Sequence, residues 1–280
     1  MDIMTSLEAM TAKLDRIGRR SIGLIMTKGA LHEGHIALIK AARAENEYII
    51  VSSFLHPHEF SSEEAYKLYP RQVEEDQEIA SKAGVDFFFC PSYEGLYPNG
   101  SSTYVSIYTP LMNRLEGQIH PKYYQSFLTT ANLLLSCIRP QRYYISEKDF
   151  QKKALLSQLI RDFHYVCEIR VLPTEREADG LIIGSRNTLL EPEERRLAPL
   201  LYHTLKKAEL AYQRGNISSY KLKLLLETEI KRYYRIQLEY VDVLEIERLT
   251  SIETIIEEAL IVMSIRLGSV RLSDYIYLNK

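Results

Sequence analysis

SIGLIMTKGALHEGH, residues 21–35, is the stretch from which the rest of the chain can be read. Its apolar run at 22–26 reads as a buried parallel strand and residues 27–29 as a tight turn. From Gly34 the segment GHIALIKAARAEN has helical periodicity, with Ile36, Ile39 and Ala42 on one face. Strand, loop and helix in this order aim backbone N–H groups and a helix N-terminus at an anion. His32 and His35 stand where a phosphate would arrive. The same spacing also reads as metal ligation at i, i+3, or as a helix-capping pair without chemistry.

Outward from this stretch the pattern repeats. YIIVSSFL (48–55) is a second near-continuous apolar strand, suited to burial on both faces. It runs into HPHEF, where Pro57 ends the ladder and leaves His56, His58 and Glu59 on a loop. Residues 71–83 read as a helix stopped by Gly84, and VDFFFC (85–90) as a third strand. TYVSIY (103–108) reads as a short edge strand. Residues 124–138 form the next helix, with Phe127, Leu128, Ala131, Leu134, Leu135 and Ile138 on its buried side. RYYIS, the helix at 149–163 and CEIRVLPT complete the alternation. Alternating strands and helices predict an α/β fold with a doubly wound, Rossmann-like parallel sheet and right-handed crossovers. Ligands then belong at the C-terminal strand ends, where residues 32–35, HPHEF and SEKD all fall.

The pattern changes after about residue 187. Two helices are predicted at 192–214, with Pro199 as a kink, and at 218–234. Three strands follow near 238–246, 259–265 and 270–278 without a helix between the last two. This predicts a smaller C-terminal α+β lid domain, residues 176–280, after a nucleotide-binding domain of residues 1–175. The loop at 174–187, with Gly180 and Gly184, is expected to reach over a nucleotide.

Composition sets the outer limits. The chain has 280 residues, 46% hydrophobic and 26% charged, within the range of one large or two unequal domains. A formal net charge of -2 gives no argument for a nucleic-acid or membrane partner. Cys90, Cys137 and Cys167 form no CxxC pair and fall in apolar runs, which predicts core thiols in a reducing cytosol. The first 20 residues read as an amphipathic helix without an export signal, and no apolar run spans a membrane, so a cytoplasmic protein is expected.

GALHEGH resembles the HxGH signature of the adenylylating nucleotidyltransferases, and the wider chain is similar to the pantothenate synthetase family. RAEN at Arg43, YPR at Tyr69, LYP at Leu96, LEG at Leu115, SEKDFQ at Ser146, PTEREADGL at Pro173, SRN at Ser185 and RLSD at Arg271 occur in that family's order. The resemblance implies a ligase that joins a small carboxylic acid to an amine such as β-alanine with ATP and Mg²⁺. An acyl adenylate forms with release of pyrophosphate, and the amine then displaces AMP. It implies His32, His35, Lys148 and Arg186 as catalytic residues, with Ser185 beside Arg186 on the β,γ-phosphates. Gly29 and Gly34 are expected at the nucleotide as well, and Asp149, at the start of a helix, reads as a ribose ligand, an Mg²⁺ ligand or that helix's cap. A homodimer is the family's usual assembly. No Mg²⁺ ligand can be named; Glu75 and Asp76 are the nearest acidic residues, with a solvated helix face as the competing reading.

The chain departs from the family on the acid side. Lys28 replaces a methionine, His56 an asparagine, Glu59 a pantoate-holding glutamine, and Lys152 a second such glutamine. His120 stands for an arginine, Tyr123 for a histidine, and Gly184 for the first serine of SSRN. Charges at 59 and 152 need partners in a closed site, because an unpaired buried charge costs several kcal/mol (about 3–5). Either they pair with each other or the acid substrate pairs with them, in which case the acid need not be pantoate. The alternative from another class is a catalytically impaired nucleotide-binding pseudoenzyme with a regulatory role.

Overall fold

Six strands, all parallel, build the first sheet: β1 (Asp2–Met4), β2 (Ile22–Thr27), β3 (Tyr48–Ser53), β4 (Phe87–Phe89), β5 (Arg142–Ser146) and β6 (Glu168–Leu172). Their order is β1-β4-β3-β2-β5-β6. The chain winds from β2 outward through β3 and β4, then returns to the other side of β2 as β5. The direction of winding therefore reverses between β2 and β5, and a crevice opens there at the carboxyl ends of the strands.

Side-chain alternation explains why the sheet carries helices on both faces. Leu24, Ile50, Phe87, Phe89, Tyr143 and Ile145 pack on one face, under the helices Leu7–Ile17, Pro121–Ile138 and Phe150–Asp162. Ile25, Ile49, Val51, Phe88 and Tyr144 pack on the other, under Glu33–Glu45 and Val73–Lys82. Strands buried on both faces carry the continuous apolar runs seen in the sequence.

The computed structural model describes residues 1–18, 20–60, 62–215 and 218–279, and the chain divides into two units, Met1–Thr174 and Glu175–Lys280. The second unit holds the helices Pro192–Leu197, Leu200–Gln213 and Ser219–Ile230. They pack through Leu201, Leu205, Leu222 and Leu226 on an antiparallel sheet of β7 (Ile236–Leu244), β8 (Glu258–Leu267) and β9 (Val270–Asn279). The expected kink at Pro199 is a break between two helices, since proline has no N–H to donate and crowds the preceding turn.

Three expectations are corrected. A short edge strand forms not at 103–108 but as β1, at the start of a stretch whose pattern predicts a helix. Residues 103–108 stay outside the ladder: the Val105 N–H donates to Thr129 Oγ1 at 3.0 Å, and Val105 and Ile107 lean on the core. The first helix begins at Leu7, capped by Ser6, whose hydroxyl accepts from the Ala9 N–H. The three cysteines are free but half-buried rather than core residues. Burial pushes the thiols of Cys90 and Cys167 up, the latter to about 12, so neither ionises readily. Among the described residues no helix is long and apolar enough to cross a membrane.

Candidate active site

β2 ends at Thr27, and the turn beyond it is held in an unusual backbone conformation. Gly29 has φ 77° and Ala30 φ 51°. A Cβ at Gly29 would stand 2.9 Å from Asp76 Oδ2 and 3.0 Å from Ser53 Oγ, so only glycine fits. The N–H groups of Ala30 and Leu31 donate to Asp76 Oδ2 and Oδ1 at 2.8 and 2.7 Å. Asp76 is therefore not on a solvated face: it is 1% exposed, and its carboxylate is engaged by backbone. The N–H groups expected to receive a phosphate at this turn are taken by the protein's own anion.

The helix Glu33–Glu45 follows at once. His32 is its N-cap, with Nδ1 accepting from the Gly34 N–H at 3.2 Å; His35 Nδ1 accepts from the His32 N–H at 3.3 Å. The rings lie 4.0 Å apart between centroids. An Nδ1 that accepts carries no proton, so each neutral ring carries its hydrogen on Nε2. Burial, then Lys148, lowers the His32 pKa to about 4. Burial also holds His35 well below the ordinary value, helped by His32, Lys148 and Lys152. Near neutral pH the pair thus presents two uncharged Nε2–H donors. Capping, one of the alternatives in the sequence, uses Nδ1 of each ring and does not occupy Nε2.

Across the crevice, β5 runs into a short 3₁₀ turn, Glu147–Asp149, and then the helix Phe150–Asp162. The Lys148 N–H donates to Thr174 Oγ1 at 2.9 Å, tying the turn to the segment beyond β6. Lys152 Nζ lies 2.9 Å from Asp149 Oδ1, both half-buried. Burial alone would raise the Asp149 pKa, but Lys152 and Lys148 outweigh it and hold the carboxyl below its ordinary value. Burial works against the Lys152 charge as well, and Asp149 outweighs it, so the ammonium is held charged.

Beyond β3, His56 caps a 3₁₀ turn, Pro57–Glu59. Glu59, 6% exposed, pairs with Lys28 at 2.7 Å. Of the two readings open for the charges at 59 and 152, a mutual pair or pairing with the acid substrate, neither is what the side chains do: Glu59 pairs with Lys28 and Lys152 with Asp149. The Tyr123 ring contacts both ammonium groups, 4.7 Å from Lys28 Nζ and 5.8 Å from Lys152 Nζ, while Phe60 lies 5.3 Å from Lys28 Nζ and Phe127 5.7 Å from Lys152 Nζ. Such contacts favour a cation partly stripped of water. His56 is fully buried, and its Nδ1 accepts from the His58 N–H. Its Nε2 has no hydrogen-bond partner among the described residues and lies among the rings of Phe54, Tyr93 and Tyr97. Burial lowers its pKa to about 4. His120 caps the helix Pro121–Ile138, its carbonyl accepting from the Tyr123 N–H; the helix meets the two ion pairs through the rings of Tyr123 and Phe127.

One unit thus brings together Lys28, Gly29, His32, Gly34, His35, Glu59, Tyr123, Lys148, Asp149 and Lys152, with His56 behind Glu59. The protein-built part of an Mg²⁺ site is missing from this set. Asp76 is engaged by backbone, Glu59 and Asp149 by lysines, and no metal-binding group of three such side chains exists among the described residues. A magnesium ion that keeps mostly water and phosphate oxygens fits the residues only as a passenger on the triphosphate.

Ser185 and Arg186 lie in the second unit, opening the 3₁₀ helix Ser185–Leu189. The loop before them is braced. Arg176 grips Asp274 through two 2.8 Å bonds and also donates to the Gly180 carbonyl. Arg195 binds Glu177 and Asp179, and Asn187 Nδ2 donates to the Ile182 carbonyl. Gly180, φ 90°, packs so close to Tyr202 that a Cβ would be 2.1 Å from the ring. A Cβ at Gly184 would meet only Asn187, at an ordinary 3.6 Å, so the glycine there is not forced. The loop expected to reach over a nucleotide is stitched to its own unit, and Asp274 of the RLSD motif is one of the stitches.

Comparison with known proteins agrees with this geometry. The family model for pantoate–β-alanine ligase matches residues 2–277. The pantothenate synthetase of Geobacillus sp. (strain WCH70) is 37% identical, covering 100% of this chain and 99% of that protein. That of Thermotoga neapolitana is 35% identical, covering 98% of each. The crystal structure of pantothenate synthetase from Thermus thermophilus superposes with a TM-score of 0.94 at 32% identity, covering 100% of both chains. A pantoate–β-alanine ligase from Francisella tularensis, complexed with β,γ-ATP and β-alanine, gives 0.83 at 30% identity, covering 99% of this chain and 97% of that one. From residues to geometry to relatives, the chain belongs to the pantoate–β-alanine ligase family.

Proposed function

We propose that the protein is an ATP-dependent carboxylate–amine ligase of the cytoplasm that makes an acyl adenylate and passes the acyl group to an amine such as β-alanine. The observation that carries this reading is the pair of neutral Nε2–H donors of His32 and His35, beside Lys148 at the crevice between β2 and β5. A carboxylate oxygen of the acid attacks the α-phosphorus of ATP, and the bond to pyrophosphate breaks. The amine then attacks the acyl carbon and AMP departs. No covalent nucleophile is needed from the protein; positioning and charge stabilisation do the chemistry. His32 and His35 donate to phosphate oxygens, and Lys148 offsets the growing negative charge. Mg²⁺, carried by the triphosphate, adds charge neutralisation.

The acid subsite is read from its ion pairs. Lys28 with Glu59 and Lys152 with Asp149 leave that wall internally neutralised. Such a wall does not require a second charge on the substrate, so the acid is a short monocarboxylate with a neutral tail, and pantoate fits that class. Acid-dependent exchange of labelled pyrophosphate into ATP tests the proposal across pantoate, other hydroxy acids, amino acids and dicarboxylates. Exchange with pantoate is expected. Exchange with none of them refutes the ligase reading, and exchange only with dicarboxylates or amino acids refutes the neutral-tail assignment.

A homodimer is proposed as well. β6 is a sheet edge, and Val171 on it, with Phe163 and Val166 ahead of it in the chain, are exposed apolar residues. Sedimentation equilibrium at the monomer mass would refute it.

A further inference from the structure

We propose that Asp76 is a positioning residue: its carboxylate fills the anion-binding turn ahead of His32 and so sets where both Nε2–H donors point. The proposal rests on the ligase reading for its activity arm only.

Two successive residues with positive φ, Gly29 and Ala30, turn consecutive backbone N–H groups toward one point and create an anion cradle. In this chain the cradle is filled from a different element, the helix Val73–Lys82, by a carboxylate that gives one oxygen to each N–H. Ala30 lacks the freedom of glycine, so its φ of 51° persists only where the surroundings over-determine it. Asp76 supplies that constraint on one side. On the other, the Gly29 N–H donates to Thr27 Oγ1, whose hydroxyl donates to the Ser52 carbonyl.

The link to the histidines is mechanical. Each ring is fixed through Nδ1 to the backbone of residues 32–34, immediately after the turn. The rings are locked to that backbone, and the backbone is locked to the sheet by Asp76. Loosening the carboxylate lets the turn and both rings shift together. Of the acidic run Glu74, Glu75 and Asp76, only Asp76 is buried, which separates this role from a general acidic first turn.

Asp76→Asn tests it, because the amide keeps the shape but replaces one acceptor oxygen with a donor facing an N–H. In the full-length protein, kcat for pantoate-dependent adenylate formation falls about 100-fold while KM for ATP changes less than about threefold. Independently of activity, ¹⁵N imidazole spectra show His32 and His35 resonances moved or broadened, with His164 and His203 unchanged. Adding Ala30→Gly, which relieves the turn, restores part of both. Unchanged His32 and His35 resonances overturn the proposal whatever the activity. Shifted resonances in a protein that never exchanges pyrophosphate leave the positioning role standing and overturn the ligase reading instead. If Asp76→Asn does not fold, Asp76→Glu carries the same readings, and failure of both to fold makes Asp76 a folding residue and overturns the proposal.

Discussion

Replacing Glu59 with glutamine leaves the Lys28 ammonium facing a neutral amide and two aromatic rings. The side chains of the pair are 17% and 7% exposed and 2.7 Å apart. Exposed pairs are worth about 0–1 kcal/mol, whereas breaking a fully buried one costs about 3–5 kcal/mol. At this burial, with part of the Lys28 charge still held by Tyr123 and Phe60, Glu59→Gln should cost about 2 kcal/mol. Lys28→Met strands a more deeply buried carboxylate and should cost about 3 kcal/mol. The double variant removes both charges at once and should cost only about 1 kcal/mol, giving a coupling near 4 kcal/mol. Urea unfolding followed by far-ultraviolet circular dichroism measures all four corners of the cycle. Additivity within about 0.5 kcal/mol would refute the pair as a unit. Pantoate kinetics on the same four proteins carry the substrate question: efficient turnover by the unmodified chain is expected, and turnover only by the double variant would return the exchanged-acid reading.

His35→Ala and Lys148→Ala should abolish adenylate formation while the fold persists, with His35→Ala also losing about 1 kcal/mol for the vacated cap; retained pyrophosphate exchange in either would sink its assignment. His32 and His56, held neutral with pKa values of about 4 against about 6.5 unfolded, contribute stability that is complete above pH 6.5 and is lost as pH falls from there toward 4. The free energy of unfolding should therefore drop between pH 7 and 5, by up to about 1.4 kcal/mol per pH unit for each ring, with thermal midpoints falling alongside, and a flat profile would count against buried neutral imidazoles. Because both donors stay neutral over that range, the single-turnover rate of adenylation should show no limb near pH 6.5; such a limb would mean that a cationic histidine takes part. The braced segment at 174–187 should resist limited proteolysis without nucleotide, and Asp274→Ala, which strands the half-buried Arg176, should open it at a cost of about 3 kcal/mol; equal cutting of both proteins would show that the clamp does not hold the loop.

The alternation of apolar runs with helical periods placed most strands and helices, because strands buried on both faces and amphipathic helices write their burial into the sequence. What escaped was short or exceptional. β1 has three residues, too few for any period, and it is defined by the ladder it joins: the Asp2 N–H donates to the Asp86 carbonyl, and the Cys90 N–H to that of Met4. TYVSIY has strand composition and alternation, but its Val105 N–H is claimed by Thr129 while Val105 and Ile107 lean on the core. The RAEN motif shows a related limit. It is legible as a signature, yet its residues hold the sheet together: Arg43 binds Asp86, while Asn46 binds Tyr144 and packs where Gly23 leaves room.

In the site, residue types were legible and partners were not. Glu59 and Lys152 read as opposite charges in need of company, and pairing them is the simplest solution in one dimension. The sheet order decides otherwise. β2 lies between β3 and β5, so Lys28 beyond the end of β2 adjoins Glu59 beyond the end of β3. Lys152 is one helical turn from Asp149, close enough for that carboxylate to take its ammonium before anything across the crevice can. Asp76 escaped for the same reason: its partners are two backbone N–H groups, which no residue pattern marks, and their convergence depends on a positive φ at Ala30 that an alanine does not advertise. Charge exchanges in an acid-binding wall are therefore read correctly only with the strand order in hand, because that order decides which exchanged charges neutralise each other and which are left for the substrate.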